Sequence, residues 1–181
     1  MKTIGLFGPA GSGKSSQGQR LASFDGWVWI STGELLRKDG NEEILRQLAT
    51  SKLIDDEYVT GLLVAELEKA RAEHVQVAVI DGYPRTARQV GLMVEHDLKM
   101  DVALLIELTF EEAWERIQLR GRETDNEAVA RERFEVYEQN MYSIRTLLEE
   151  QGTRFVDIDG AGSVETVAER IEQILTESGL R

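Results

Sequence analysis

The sequence contains no cysteine, two histidines and two prolines among its 181 residues. Without cysteine the chain forms neither disulfides nor thiolate metal sites, and His74 and His96 are too far apart to suggest a histidine-rich zinc site. No apolar run approaches the roughly 20 residues that a membrane-spanning helix requires. Met1 and Lys2 lead directly into a strand-like segment. These absences favour a cytoplasmic protein with no membrane partner.

Acidic residues outnumber basic ones, with 33 Asp and Glu against 21 Lys and Arg, so the formal net charge is −12. Binding to duplex nucleic acid requires a basic face, and this balance argues against nucleic acid as a partner. Most of the basic residues are nevertheless arginines. Guanidinium groups bind phosphate through paired hydrogen bonds and stay charged when desolvated. We therefore expect the cations to be concentrated where an anionic ligand binds.

Short apolar runs typical of β-strands alternate with segments of helical spacing. The predicted strands are residues 2–7, 28–30, 77–80, 102–108 and 154–158. This alternation predicts one domain with a parallel sheet covered by helices, and ligands of such sheets bind at the carboxyl ends of the strands. Residues 31–59 place several short helices between two strands, which suggests a small flap hinged on the core.

Residues 8–15 read Gly-Pro-Ala-Gly-Ser-Gly-Lys-Ser and match the pattern G-x-x-x-x-G-K-[ST]. They follow a predicted strand and open a predicted helix, which is the context that a phosphate-binding loop requires. The glycines let backbone N–H groups turn inward around phosphate oxygens, and the helix N-terminus adds partial positive charge. Lys14 would bridge the outer phosphates and Ser15 would hold magnesium. The loop alone leaves a GTPase, an ATPase and a small-molecule kinase open.

Five segments together resemble the adenylate kinase family in order and spacing. They are residues 8–17, Ser-Thr-Gly-Glu-Leu-Leu-Arg at 31–37, Asp-Gly-Tyr-Pro-Arg-Thr at 81–86, Asp-Asn-Glu at 125–127 and Ile-Asp-Gly-Ala-Gly-Ser-Val at 158–164. The resemblance covers nearly the whole chain, and the string at 81–86 is highly specific for nucleoside monophosphate kinases.

The resemblance implies an α/β protein with the three-layer fold of P-loop nucleoside monophosphate kinases, a five-stranded parallel sheet with helices on both faces. It implies a core of residues 1–30 and 60–181, an AMP-binding flap at 31–59 and a lid reduced to about 120–125. The activity implied is conversion of ATP and AMP to two ADP by direct in-line transfer, with Mg²⁺ as cofactor. We expect a monomer whose partners are these two small molecules.

Site residues follow from the same resemblance, position by position. The implied catalytic residues are Lys14, Arg85, Arg120, Arg122 and Arg133. ATP binding is implied for Gly8, Gly11, Ser12, Gly13, Lys14, Ser15, Ser16, Arg116, Arg120 and Gly162. AMP binding is implied for Thr32, Gly33, Arg37, Ile54, Gly82, Arg85, Gln89, Arg122 and Arg133. The metal residues are Ser15 and Asp81, the latter through water.

The arginines in these sets agree with the chemistry, because transfer between two nucleotides gathers several negative charges in one cleft. Arg37 and Arg85 resemble the pair that grips the AMP phosphate, and Arg116 resembles the residue that covers the ATP adenine. Two alternatives stay open. Asp81 ends a buried strand and precedes glycine, so we expect it at the carboxyl edge of the sheet, but an acid there also suits the capping of a turn. Gln89 has capping-box spacing from Thr86, as Glu112 has from Thr109 and Glu127 from Thr124.

The chain departs from the family pattern at four places. Ser15 and Ser16 replace the usual Gly-Thr after the lysine, so the Ser15 hydroxyl is available to touch magnesium directly. Glu34 replaces the usual aspartate, and the flap is a few residues shorter. Only Gly121 separates Arg120 from Arg122, which leaves almost no lid.

Two other functions are alternatives to the adenylate kinase interpretation. One is a kinase for UMP, CMP or dAMP, which Thr32 and Gln89 disfavour because pyrimidine-specific relatives carry other residues at both positions. The other is a nucleotide-sensing P-loop ATPase that transfers no phosphate, which the arginine set disfavours.

Overall fold

A parallel five-stranded sheet forms the centre of the protein, whose computed structural model describes residues 1–39, 41–48, 54–121 and 126–180. The strands are β1 (Lys2–Phe7), β2 (Trp27–Ser31), β3 (Val77–Asp81), β4 (Val102–Glu107) and β5 (Arg154–Asp159), in the order β2-β3-β1-β4-β5. Each lies within one residue of its predicted ends. Because β1 pairs with both β3 and β4, the loops that follow these three strands meet at one edge of the sheet.

Helices cover both faces of the sheet, as predicted. They are α1 (Lys14–Leu21), α2 (Thr32–Asp39), α3 (Glu42–Leu48), α4 (Asp56–Ala72), α5 (Ala87–Glu95), α6 (Phe110–Arg120), α7 (Glu127–Glu150) and α8 (Val164–Glu177). On one face, Leu63 of α4 and Leu148 of α7 are buried with Ile80 of the sheet. On the other, Ile171 of α8 is buried with Ile4. In the part of the chain that the structure describes, no helix is long and apolar enough to cross a membrane.

The predicted flap region, residues 31–59, contains α2, α3 and the first turn of α4. Leu36, Ile44 and Ile54 each bury their side chains in the same apolar cluster as the sheet residue Ile80. Burial of a large aliphatic side chain contributes about 1.5–3 kcal/mol. These three contacts therefore seat the described part of the flap against the core.

Two predicted capping boxes have different outcomes. At the start of α6, the Thr109 hydroxyl accepts from the Glu112 N–H, and the Glu112 carboxylate accepts from the Thr109 N–H at 2.9 Å, which confirms the box. These bonds lower the pKa of Glu112. The box predicted for Thr124 and Glu127 is wrong, because α7 begins at Glu127 and Asn126 caps it by accepting from the Val129 N–H. Thr124 lies outside the described residues.

A small apolar cluster joins α6 and α7. The rings of Phe110 and Phe134 meet edge to face with centroids 5.6 Å apart, and the Arg131 guanidinium lies 3.9 Å above the Phe110 ring. Trp114 of α6 and Ala10 of the phosphate loop pack against the same cluster. The two helices are thus held to each other and to the loop, and residues 121–126 connect them.

Candidate active site

The carboxyl ends of β1 and β3 bring the phosphate loop and Asp81 together. In the register of the two strands, Leu6 lies opposite Asp81. The Ser15 hydroxyl donates a hydrogen bond of 2.9 Å to Oδ2 of Asp81, and Asp81 is only 4% exposed. The prediction that Asp81 lies at the carboxyl edge of the sheet is therefore confirmed.

The phosphate loop holds its own lysine side chain. The Lys14 ammonium donates to the carbonyls of Gly8 and Pro9 at 2.6 and 2.7 Å, and to the hydroxyl of the buried Ser12 at 3.2 Å. These acceptors are neutral, whereas a phosphate oxygen carries charge and forms a stronger hydrogen bond with an ammonium group. A bound phosphate would therefore compete well for Lys14.

Gly11 brings the phosphate loop into close contact with α6. Its φ is +87°, and a Cβ at this position would collide with the carbonyl oxygen of Ala113. Only glycine permits both the backbone conformation and the close approach. The loop and α6 are therefore in direct backbone contact.

Ser15 and Asp81 offer one hydroxyl and one carboxylate oxygen, the donor types that Mg²⁺ prefers. Among the residues that the structure describes, no group of three or more His, Asp or Glu side chains is arranged to hold a metal ion. The residues present thus suit an ion that takes most of its ligands from phosphate and water. Such an ion fits here, because magnesium usually keeps several waters and binds few protein groups.

A second group of charges lies beside Asp81. Arg85 is accessible to solvent, and its Nε donates to the Gly82 carbonyl at 2.7 Å. Gly82 has a φ of +83°, a backbone conformation that favours glycine, and a Cβ there would displace the Arg85 guanidinium, which would lie 2.7 Å away. Arg133 of α7 donates to the Leu48 carbonyl at the end of α3, at 3.0 Å.

The charges around Arg85 make an anion a favourable partner for this group of arginines. Desolvation by the surrounding protein lowers the pKa of Arg85, the Asp81 carboxylate raises it, and the cations Arg133 and Arg37 lower it. Three guanidinium groups close enough to affect one another repel unless an anion lies among them. Arg37 and Arg85 were predicted to bind the AMP phosphate, and Arg133 was predicted to be an AMP-binding and catalytic residue. The structure places the three close enough for Arg37 and Arg133 to affect the pKa of Arg85.

Thr32 and Gln89, the predicted readers of the AMP base, are both 2% exposed and bonded internally. The Thr32 hydroxyl donates to the carbonyl of Gly82 at 2.9 Å. Gln89 accepts from the Arg85 N–H through Oε1 and donates to the Asp56 carboxylate through Nε2, both at 2.7 Å. The sequence pattern missed Asp56, because no motif marks a helix-start acid that pairs across two helices.

The Thr86–Gln89 capping box forms only in part. Thr86 accepts from the Gln89 N–H at 3.0 Å, as predicted for the cap residue. The Gln89 side chain instead reaches the N–H of Arg85, one residue before the cap. Gln89 thereby holds the backbone of an arginine in the anion site.

Glu34 and Arg37 lie about one turn apart on α2 and line the same cavity. The Arg37 guanidinium is near Gly33, with a distance of 3.6 Å to the position that a Cβ would take. A cavity of about 490 Å³ lies between α2, the outer edge of β2 and α4, and Glu34 and Arg37 line it together with Glu66. Of the predicted nucleotide-binding residues, Arg37 alone is among those that line this cavity.

The structure describes some of the residues that were predicted to bind ATP. Arg116 of α6 donates through Nη2 to the carbonyls of Gly160 and Gly162, at 2.7 and 2.8 Å. Ser16 is exposed at the start of α1. Arg120 is the last residue of α6, and its side chain and the whole of Arg122 lie outside what the structure describes.

The strand order, the phosphate loop and the acid beside it define a nucleotide-binding protein of the phosphate-loop class. A family profile described as adenylate kinase matches residues 6–153. The chain is 34% identical over 188 positions to an adenylate kinase of Maricaulis maris (strain MCS10), covering 96% of this chain and 98% of that protein. It is 33% identical over 184 positions to one of Parasynechococcus marenigrum (strain WH8102), with 97% and 100% covered. For one of Thermococcus onnurineus (strain NA1) the identity is 32% over 211 positions, with 94% and 92% covered. The chain belongs to the adenylate kinase family.

Proposed function

We propose that this protein transfers the terminal phosphoryl group of ATP to AMP and releases two molecules of ADP, with Mg²⁺ as cofactor. The observation that carries this proposal is the group of Arg37, Arg85 and Arg133 beside Asp81, next to a phosphate loop. A protein that only binds or hydrolyses ATP has no need for a second anion site. Two adjacent sites for anions are what transfer between two nucleotides requires.

On the donor side, the backbone of the phosphate loop binds the ATP phosphates. Lys14 exchanges the carbonyls of Gly8 and Pro9 for phosphate oxygens, which are stronger acceptors for its ammonium group. Ser15 and Asp81 are the residues that would hold Mg²⁺, through a hydroxyl and a carboxylate oxygen. When bound, the ion neutralises phosphate charge and polarises the phosphoryl group that is transferred.

On the acceptor side, Arg37 and Arg85 bind the AMP phosphate and Arg133 lies between the two nucleotides. An oxygen of the AMP phosphate forms a bond to the γ-phosphorus of ATP, the bond from that phosphorus to the β–γ bridging oxygen breaks, and its electron pair leaves with ADP. The attacking oxygen is already anionic, so no general base or covalent intermediate is needed. The contribution of the protein is orientation and positive charge, to which Arg120 and Arg122 add.

We assign the selection of the nucleobase of AMP to the residues Thr32, Gln89 and Ile54. The Gln89 amide keeps one N–H and one oxygen lone pair beyond its bonds to Asp56 and Arg85, and the adenine edge offers one acceptor and one donor. The amide orientation is set, because the Asp56 carboxylate only accepts and the Arg85 N–H only donates. This orientation suits adenine.

The division into a core of residues 1–30 and 60–181, a flap at 31–59 and a minimal lid at about 120–125 is part of the same proposal. One chain supplies every residue assigned above, which supports a monomer. The substrates are intracellular nucleotides, which supports a cytoplasmic location.

The test is formation of ADP from ATP by the purified protein with AMP, dAMP, CMP or UMP as acceptor. We expect rapid ADP formation with AMP and magnesium, little with the pyrimidine nucleotides, and none in the presence of excess EDTA. A clear preference for CMP or UMP would contradict the assignment of AMP. ATP binding without ADP formation from any acceptor would show a sensor rather than a kinase.

A further inference from the structure

Two arginines from different helices hold residues 159–162, which run from the last residue of β5 toward the start of α8. We call this segment the donor loop. Arg116 of α6 donates to the carbonyls of Gly160 and Gly162. Arg170 of α8 donates through Nη1 to the carbonyls of Asp159 and Ala161, at 2.6 and 2.7 Å. Four successive carbonyls are thus shared alternately between the two guanidinium groups.

The side chain of Asp159 adds to this arrangement. Its Oδ2 lies 3.1 Å from Nη2 of Arg170, and its Oδ1 accepts from the Ala161 N–H at 2.9 Å. Arg170 therefore contacts the donor loop at three oxygens. Arg116 and Arg170 come from different helices and bind alternate carbonyls, so each holds the loop independently of the other.

The donor loop lies next to the phosphate loop through two links. Its contact Arg116 is on α6, whose Ala113 carbonyl touches Gly11 of the phosphate loop. From the other direction, Gln17 of α1 donates at 2.8 Å to the carbonyl of Val164, the first residue of α8. The donor loop is therefore close to the phosphate loop, within reach of an ATP molecule whose phosphates bind there.

We propose that Arg170 is a positioning residue for ATP, which together with Arg116 holds the donor loop in its binding conformation. This inference rests on the proposed function, because it takes ATP as the donor. Gly160 and Gly162 give the loop more backbone freedom than other residues would, and Gly162 has a φ of +99°. Without Arg170, ATP binding would have to order this loop, and that entropy cost appears as weaker binding.

The experiment compares Arg170→Ala with Arg145→Ala. Arg145 of α7 is a matched control, since it pairs with Asp157 of β5 and its side chain is 36% exposed against 37% for Arg170. It binds β5 itself and makes no contact with the donor loop among its described bonds. The measurements are KM for ATP and for AMP, kcat, and Kd for ATP by calorimetry without AMP.

For Arg170→Ala we expect KM and Kd for ATP to rise about tenfold, the size of effect that loss of charged hydrogen bonds gives. KM for AMP and kcat should stay within about twofold of the wild type, and Arg145→Ala should match the wild type. Arg170→Lys should recover part of the affinity, because an ammonium group can serve one carbonyl and the Asp159 carboxylate.

Three results overturn the inference. They are an unchanged Kd for ATP in Arg170→Ala, equal losses for ATP and AMP, and the same loss in Arg145→Ala. If Arg170→Ala fails to fold, Arg170→Lys decides, and wild-type affinity together with wild-type thermal stability in that variant contradicts the proposal. Absence of AMP-dependent ADP formation in the wild-type protein contradicts the proposed function instead, so the two failures are distinguishable.

Discussion

Ser15, the second residue of α1, donates a hydrogen bond of 2.9 Å to the carboxylate of Asp81, the last residue of β3. The proton of the hydroxyl is thereby directed to Asp81, and the oxygen lone pairs face the other way. A hydroxyl in this state is oriented to accept a hard cation, and the buried carboxylate adds negative charge behind it.

Replacing Ser15 by alanine should weaken the use of magnesium. We expect the Mg²⁺ concentration for half-maximal activity to rise and kcat/KM for ATP to fall, each by about tenfold, as for other groups that orient a metal ligand. The measurement is ADP formation over a range of Mg²⁺ at fixed ATP. Ser23→Ala is the control, since it removes an exposed hydroxyl beyond the end of α1 that bonds only the Arg20 carbonyl among its described contacts. An equal effect of both substitutions would contradict the role of Ser15.

Arg85→Ala should abolish AMP phosphorylation while leaving ATP binding nearly intact. Arg85 lies beside Arg37 and Arg133 in the group of arginines that we assign to the AMP phosphate. Removal of one arginine at a transferring phosphoryl group costs about a thousandfold in rate. The measurements are kcat with AMP and Kd for ATP. Arg88→Ala is the control, because Arg88 forms exposed ion pairs with Glu57 and Glu95 that contribute little. A fall in ATP affinity with no AMP-dependent activity in the wild type would favour a sensor.

The short connection between α6 and α7 should allow ATP hydrolysis in the absence of AMP. With residues 121–126 alone between the helices, little chain is present to exclude water from the phosphates. We expect inorganic phosphate to be released from ATP, and AMP to suppress this release by occupying the in-line position. Both rates are measured with a phosphate-release assay. Release at the uncatalysed rate without AMP would show that another segment, the flap at 31–59 first, shields the site.

Tyr83 should make the protein less stable at high pH. Burial raises the pKa of Tyr83 to about 12, despite its hydrogen bond with Thr60, whereas an unfolded tyrosine titrates near 10. The folded state therefore favours the neutral phenol, and the stability that this provides is present below pH 10 and lost between pH 10 and pH 12.

The measurement is the free energy of unfolding in urea as a function of pH. Between pH 10 and pH 12 the wild type should lose about 2–3 kcal/mol more than Tyr83→Phe, because two units of pKa correspond to that energy. Tyr142→Phe, which alters an exposed residue, should follow the wild type. Equal slopes for the wild type and Tyr83→Phe would contradict the assignment.

Most of the fold followed from local patterns. The strands are short, and β1, β3 and β4 are apolar and almost entirely buried. The bounds of all five were predicted to within one residue, and Asp81 was placed at the sheet edge because it ends a buried strand. The start of α7 was misplaced because Thr124 and Asn126 are both good capping residues, and spacing alone does not rank them.

The site was harder to predict, because its geometry depends on contacts between distant segments. The arginines that we assign to the AMP phosphate were found through motif resemblance, not through any periodicity. Asp56 and Arg170 belong to no motif, and each acts on a neighbour: Asp56 on the Gln89 amide and Arg170 on the carbonyls of the donor loop. Such roles become visible only in the structure. No sequence pattern pairs Asp56 with Gln89, 33 positions apart, or Arg170 with Asp159, 11 positions apart.

The edge-to-face rings of Phe110 and Phe134 have a consequence for how this architecture can vary. Together with Ile117 and Ala130 of the same cluster, they pack α6 against α7 through contacts within the two helices themselves. Lengthening an exposed connection costs only about 0.6 kcal/mol for each doubling. The junction is therefore a grafting point, where a longer covering segment can be inserted while the sheet, the phosphate loop and the group of Arg37, Arg85 and Arg133 stay unchanged.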